Sequence, residues 1–130
     1  MKIVLAYDGS PSSKKALEFL KNIIRKGDKI YILTIVKEIQ RSPDHVIIES
    51  ERKAKEIQRE AMQLLEGFDC YGIILESNDV ASAIVEFCEK ENCNLIVTGS
   101  RGLSALKKVI LGSVSSEILS KSKVPVLIVK

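Results

Sequence analysis

The chain has 130 residues, 45% of them hydrophobic and 28% charged, with 20 Lys+Arg against 17 Asp+Glu for a net charge of +3. That length suffices for one substantial core and argues against two domains, so a single domain over residues 1–130 is expected, and the composition excludes a disordered tail. The lysines are scattered and form no stripe that would track a nucleic-acid backbone, and no apolar run approaches the roughly 18 residues needed to cross a bilayer.

In chain order, Met1-Lys2 leads straight into the apolar run Ile3 to Ala6, a strand, without a signal-peptide pattern, so a cytoplasmic location is expected. Ser10-Pro11 then supplies a cap and a proline at the first helical position. Ala16, Leu20, Ile23 and Ile24 fall on one face of the helix that follows, and Gly27 is expected to stop it. Ile30 to Val36 reads as the second strand, and Lys37 to Val46, containing Ser42-Pro43-Asp44, as a long polar connector. Ala54, Ile57, Ala61, Leu64 and Leu65 repeat at helical spacing up to Gly67. Ile73 to Leu75 is a third strand. A helix over Asp79 to Glu91 follows, with Ser77 or Asn78 as its cap and Ala81, Ile84, Val85 and Cys88 as its buried stripe. Leu95 to Thr98 is the fourth strand, Ser113 to Lys121 a shorter helix, and Val124 to Val129 the last strand.

The apolar runs are mostly continuous and do not alternate with polar residues, as expected of strands covered on both faces. The order β-α-β-α-β-α-β-α-β predicts an α/β fold: an open, doubly wound, five-stranded parallel sheet with right-handed crossovers and helices on both faces. Cys70, Cys88 and Cys93 are odd in number and contain no C-x-x-C pair, and His45 stands apart from them. They are expected to be free packing residues in a reducing compartment, with no zinc site and no disulfide framework.

In such a sheet, ligands bind at the carboxyl ends of the strands where neighbouring connections leave on opposite faces. That edge carries Asp8, Val36, Glu76 and Gly99. Gly99-Ser100-Arg101-Gly102 follows a strand directly, and Gly112-Ser113 opens a helix nine residues later. Glycine allows positive φ and close backbone approach, so Gly99 and Gly102 can turn amide groups toward an anion. At Gly112 and Ser113 a helix N-terminus offers unpaired N–H groups and the positive end of its dipole, with the hydroxyls of Ser113 and Ser115 as further donors. Two readings stay open at this level: a phosphate site, or glycines that serve only tight turns. Asp8 is equally balanced between a turn residue in Asp8-Gly9-Ser10-Pro11 and a carboxylate that accepts hydrogen bonds from a base or sugar.

The segment G-S-R-G-L-S-A-L-K-K-V-I-L-G-S-V-S, with Y-D-G-S near the start and V-P-V-L-I-V-K at the end, resembles the universal stress protein family across the whole chain. Gly99, Gly102, Gly112 and Ser113 satisfy the G-x2-G-x9-G-(S/T) pattern of that family's ATP-binding members. The resemblance implies a Rossmann-like fold of the adenine nucleotide α-hydrolase type, with strand order 3-2-1-4-5. It implies that Asp8 and the backbone of Ala6 and Tyr7 face adenine and ribose, and that the backbone of Ile35 reads adenine. Thr98, Gly99, Arg101, Gly102, Gly112, Ser113, Val114 and Ser115 would surround ribose and phosphates. It further implies ATP, with Mg²⁺ or Mn²⁺ accompanying the triphosphate, a homodimer through Val124 to Lys130, and an unidentified protein partner for a regulator of the stress response. No catalytic residue and no side-chain metal cluster is expected, since the lysine loop G-x-x-x-x-G-K-(S/T) is missing. The rival readings are a slow ATPase or phosphoryl-transfer enzyme, and a nucleotide-free dimeric interaction module.

Overall fold

The computed structural model describes residues 1–38, 43–101 and 111–130. Through them the chain runs β1 (Lys2–Ala6), α1 (Pro11–Ile23), β2 (Lys29–Val36), α2 (Asp44–Leu64), β3 (Asp69–Glu76), α3 (Val80–Glu91), β4 (Leu95–Gly99), α4 (Ser113–Lys121) and β5 (Val126–Val129). The strands form one five-stranded sheet in the order β3-β2-β1-β4-β5. Every pairing is parallel, with Ile3 opposite both Ile30 and Leu95.

Apolar residues on successive positions of a strand point to opposite faces, so a continuous run needs helices on both. Ile3, Leu5 and Tyr7, with Ile30, Ile32 and Val97, pack against Ala16, Leu17 and Leu20 of α1 and Ala61 of α2. On the other face Val4, Leu33 and Ile96 meet Ala81, Ile84 and Val85 of α3 and Ile118 of α4. Each fully buried Leu or Ile contributes about 1.5–3 kcal/mol relative to exposure, so these two half-cores are the main source of stability. They also set the geometry that matters for a site. The helix after β1 leaves on one face and the helix after β4 on the other, and β1 and β4 are neighbours, so the switch point lies between their carboxyl ends.

Local signals account for most boundaries. Ser10 caps α1 by accepting the Ser13 N–H at 3.1 Å, with Pro11 at the first helical position. Gly27 does not end that helix. The backbone of Ile24 is already extended, and Gly27, at φ +97, sits in the turn into β2. The polar connector is shorter than expected, because α2 starts at Asp44 and takes in His45 and Val46. Pro43 precedes it, and no side-chain cap hydrogen bond is formed there. Asp79 turns out to be the cap of α3, accepting the Ser82 N–H at 3.1 Å. Ser77, expected in that role, instead accepts the Asp79 N–H at 3.0 Å.

The cysteine expectation is corrected. Cys88 and Cys93 are joined as a disulfide, and Cys70 alone is free. The spacing C-x4-C escapes a search for C-x-x-C, but Asn92 at φ 55 turns the chain back at the end of α3 and brings the two Cα atoms to 4.9 Å.

Tyr7 is 2% exposed, and its hydroxyl has no protein partner among the described residues. Burial, followed by the charges of Glu60, Asp8 and Glu18, pushes its pKa from 10.0 up to about 12. The folded state therefore prefers the protonated phenol. Its contribution to stability is complete below pH 10 and is lost as pH rises toward 12. Tyr7→Phe is expected to gain about 1 kcal/mol at neutral pH, by deleting an unpaired buried hydroxyl, and to flatten the loss of stability above pH 10. Urea unfolding of both proteins at a series of pH values measures each effect.

Candidate functional site

The carboxyl edge of the sheet is assembled from three strand ends and two helix starts. Asp8, half-buried, follows β1. Its Oδ1 accepts the Ser10 N–H at 2.9 Å, a turn that Gly9 completes at φ +79. One carboxylate oxygen thus holds the turn, and the other accepts no hydrogen bond among the described residues. Tyr7 turns its ring into the face shared by α1 and α2, while its N–H donates to the Leu33 carbonyl at 2.9 Å and its own carbonyl accepts the Thr34 hydroxyl at 2.9 Å. Ala6 and Ile35 lie at the ends of β1 and β2, half-buried, on the α3 and α4 side. Below them Gln58 Nε2 reaches the Ile32 carbonyl at 3.0 Å and Thr34 Oγ1 at 2.6 Å, which ties α2 to the end of β2.

Around β4 the glycines divide into different roles. Gly99 lies in the strand, opposite Val129, and is not among the positive-φ residues. A Cβ there would fall 2.7 Å from the backbone of Ser12, so the missing side chain admits the first turn of α1. Gly99 lacks the positive φ expected of it, and what approaches it is the protein's own helix. Ser12 adds its hydroxyl as acceptor for the Arg101 N–H at 3.1 Å, and the Ser100 N–H donates to the Val129 carbonyl at 3.0 Å. Gly102 lies outside the described residues.

At the start of α4, Gly112 is the N-cap at φ −72, ψ 167, a conformation open to any residue. Its N–H donates to the Ser100 carbonyl. The Ser115 hydroxyl, expected as a phosphate donor, is instead buried and shared between the carbonyls of Ser100 at 3.2 Å and Gly112 at 3.1 Å. These bonds dock the end of β4 onto the start of α4. They leave the N–H groups of Ser113, Val114 and Ser115 without an acceptor among the described residues, because glycine supplies no cap side chain. Three amides at the positive end of a helix form a donor set for one anionic group. Thr98 is buried beneath, its hydroxyl donating to the Gly99 carbonyl at 3.2 Å.

The structure thus brings Asp8, Gly99, Arg101, Gly112 and the first turn of α4 to the same sheet edge, about the switch point. Ser12, Ser100, Thr34 and Gln58 were not legible as site residues. Ser12 is placed by the β1–β4 adjacency, and Gln58 had a signal only in retrospect, as a polar residue interrupting the apolar stripe of α2. Among the described residues no three His, Cys, Asp or Glu side chains group as metal ligands, and no helix is long and apolar enough to cross a membrane.

Comparison with known proteins gives this geometry its family. The family model for the Universal stress protein family matches residues 1–130. The chain is 30% identical to Universal stress protein YxiE of Bacillus subtilis, over 99% of this chain and 98% of that one. It is 40% identical over 90 residues to Stress response protein NhaX of the same organism, covering 68% of this chain and about half, 53%, of that relative. Among solved structures, a universal stress protein from Archaeoglobus fulgidus in complex with dAMP superposes with a TM-score of 0.75 at 26% identity, covering 100% of this chain and 98% of that one. A universal stress protein in complex with cAMP gives a TM-score of 0.75 at 26% identity, covering 100% and 97%. The described strand order, the switch-point site and these matches lead to one conclusion: the chain belongs to the universal stress protein family.

Proposed function

We propose that this protein binds ATP at the switch point and acts as a nucleotide-dependent regulatory module of the stress response, as one domain, in the cytoplasm. The observation that carries the reading is the uncapped first turn of α4, three amide donors with no protein acceptor among the described residues, beside the Asp8 carboxylate. Complexes of family members with dAMP and cAMP support an adenine nucleotide as the ligand class. The donor set fits a phosphate: hydrogen bonds to a charged group are worth roughly 1.5–3 kcal/mol each, so three of them with base and ribose contacts reach the ~8 kcal/mol of micromolar binding. Ser113, Val114 and Ser115 would hold phosphate through backbone N–H groups, and the free oxygen of Asp8 would accept from ribose or base. Mg²⁺ or Mn²⁺ would enter with the triphosphate and neutralise its charge.

Efficient hydrolysis is not part of the proposal, because rapid phosphoryl transfer needs a positioned water and strong charge compensation. A homodimer through Val124 to Lys130 is. β5 is an edge strand whose Val126–Val129 are only half-buried, a surface suited to pairing with a second copy. The test is to denature the purified protein, identify any released nucleotide, and titrate the emptied protein with ATP, ADP and AMP with and without Mg²⁺. Micromolar ATP binding is expected, with weaker binding of AMP. No binding of any of the three would refute the reading.

A further inference from the structure

On the face of the sheet that carries α3 and α4, the last turn of α3 contains a second chemical feature, independent of the nucleotide. Cys88 and Cys93 are 2% and 5% exposed and belong to the half-core of Val4, Leu33, Ile84, Ile96 and Ile118. We propose that these two cysteines form a reversible disulfide, a redox-sensitive clasp that sets how firmly the C-terminal end of α3 is held.

The backbone accommodates both oxidation states. Asn92 in the left-handed region closes the helix, its N–H donating to the Glu89 carbonyl at 3.2 Å, and the Cys93 N–H returns to the Cys88 carbonyl at 2.9 Å. These bonds hold the two Cα atoms 4.9 Å apart, inside the range a disulfide spans, without needing the sulfur bond itself. When reduced, two small thiols remain well suited to apolar surroundings. The loop they close has only four residues between them, and a disulfide restricts an unfolded chain less the shorter its loop. The oxidised form therefore gains only modestly over the reduced one, as a reversible couple requires. Exposed Asn92 and Asn94 flank Cys93, so fraying of the final turn uncovers it.

Cys70 is excluded as a partner. It lies on the opposite face of the sheet with Leu65, whose carbonyl its Sγ approaches at 3.8 Å, and burial together with Asp69 raises its pKa, which keeps it a thiol. The oxidant is a low-molecular-weight disulfide. One protein thiolate attacks it, expelling one thiolate and leaving a mixed disulfide; the second protein thiolate attacks the protein sulfur of that intermediate and expels the other. Two protons and two electrons pass from the cysteines to the two small thiols released. The consequence reaches α4 and the segment after it, since Ile118 of α4 packs in the same half-core as Cys88 and Cys93, and Lys123 lies 3.7 Å from Glu89 in the last turn of α3.

The test equilibrates the full chain in mixtures of reduced and oxidised glutathione, quenches with acid, and counts alkylated cysteines by mass after denaturation. The count is expected to fall from three to one as the mixture becomes oxidising, with Cys70 the survivor and the midpoint inside the series. Cys70→Ser keeps the paired loss of two thiols, and Cys88→Ser and Cys93→Ser abolish it. Amide exchange of Glu89 to Cys93 is expected to slow about tenfold in the oxidised wild type, with Tm higher by about 5 °C. A pair that stays reduced throughout, a pair that stays oxidised throughout, participation of Cys70, or unchanged exchange would each overturn the proposal.

Discussion

Gly112→Asp is expected to lower ATP affinity at least 100-fold while changing folding stability by less than about 0.5 kcal/mol. At φ −72, ψ 167 the N-cap position accepts an aspartate without strain, and its N–H keeps the bond to the Ser100 carbonyl. The new carboxylate sits where N-cap side chains sit and accepts the N–H groups of Val114 or Ser115, and the gain over a glycine cap is a few tenths of a kcal/mol. It thereby fills the donor set and places a negative charge beside the phosphates. Losing one or two charged hydrogen bonds, each worth roughly 1.5–3 kcal/mol, accounts for the hundredfold at about 1.4 kcal/mol per tenfold. Gly112→Asn, a neutral cap of the same shape, is expected to lose less. Calorimetric titration with ATP, alongside urea unfolding, separates binding from folding; wild-type affinity in Gly112→Asp would show that the phosphates do not use these amides.

Gly99→Val is expected to act in the opposite way, through the fold. Its side chain would run into the backbone of Ser12, 2.7 Å from an ideal Cβ, and force the first turn of α1 away from β4. Overpacking of this kind costs about 3 kcal/mol, which lowers Tm by roughly 10 °C in a chain of this size. Ser12→Gly added to Gly99→Val is expected to recover only part of the loss, because it removes the side-chain share of the clash and leaves the backbone share. Thermal unfolding followed by circular dichroism measures both. An unchanged midpoint in Gly99→Val would mean that α1 can shift at no cost, and that the close approach is incidental.

This contrast between two glycines of one motif bears on what a sequence discloses. The spacing G-x2-G-x9-G-S is visible in the chain, but not that Gly99 answers to Ser12, a residue far away in sequence that is adjacent only because β1 and β4 pair. The same holds for Ser115, whose hydroxyl is consumed by the Ser100 and Gly112 carbonyls while its N–H stays available. Order and type of all nine expected elements follow from local signals, since continuous apolar runs and 3.6-residue stripes are properties of neighbouring residues. What failed is non-local or unsignalled. β3 extends from Asp69 to Glu76, well beyond Ile73 to Leu75, because an edge strand with one flank open tolerates Asp69, Tyr71 and Gly72. α2 begins at Asp44 without a capping side chain. The Cys88–Cys93 bond depends on one left-handed residue, Asn92, whose conformation no spacing rule announces.

The central claim is that the open first turn of α4 receives the phosphates. Titration of ¹⁵N-labelled protein with Mg-ATP, followed by amide chemical shifts, tests it directly. Large saturable shifts are predicted at Ser113, Val114 and Ser115, with smaller ones at Asp8 and Gly9, and AMP should spare the α4 amides relative to ATP. Saturating ATP that leaves those three amides unmoved while shifting others would contradict the account.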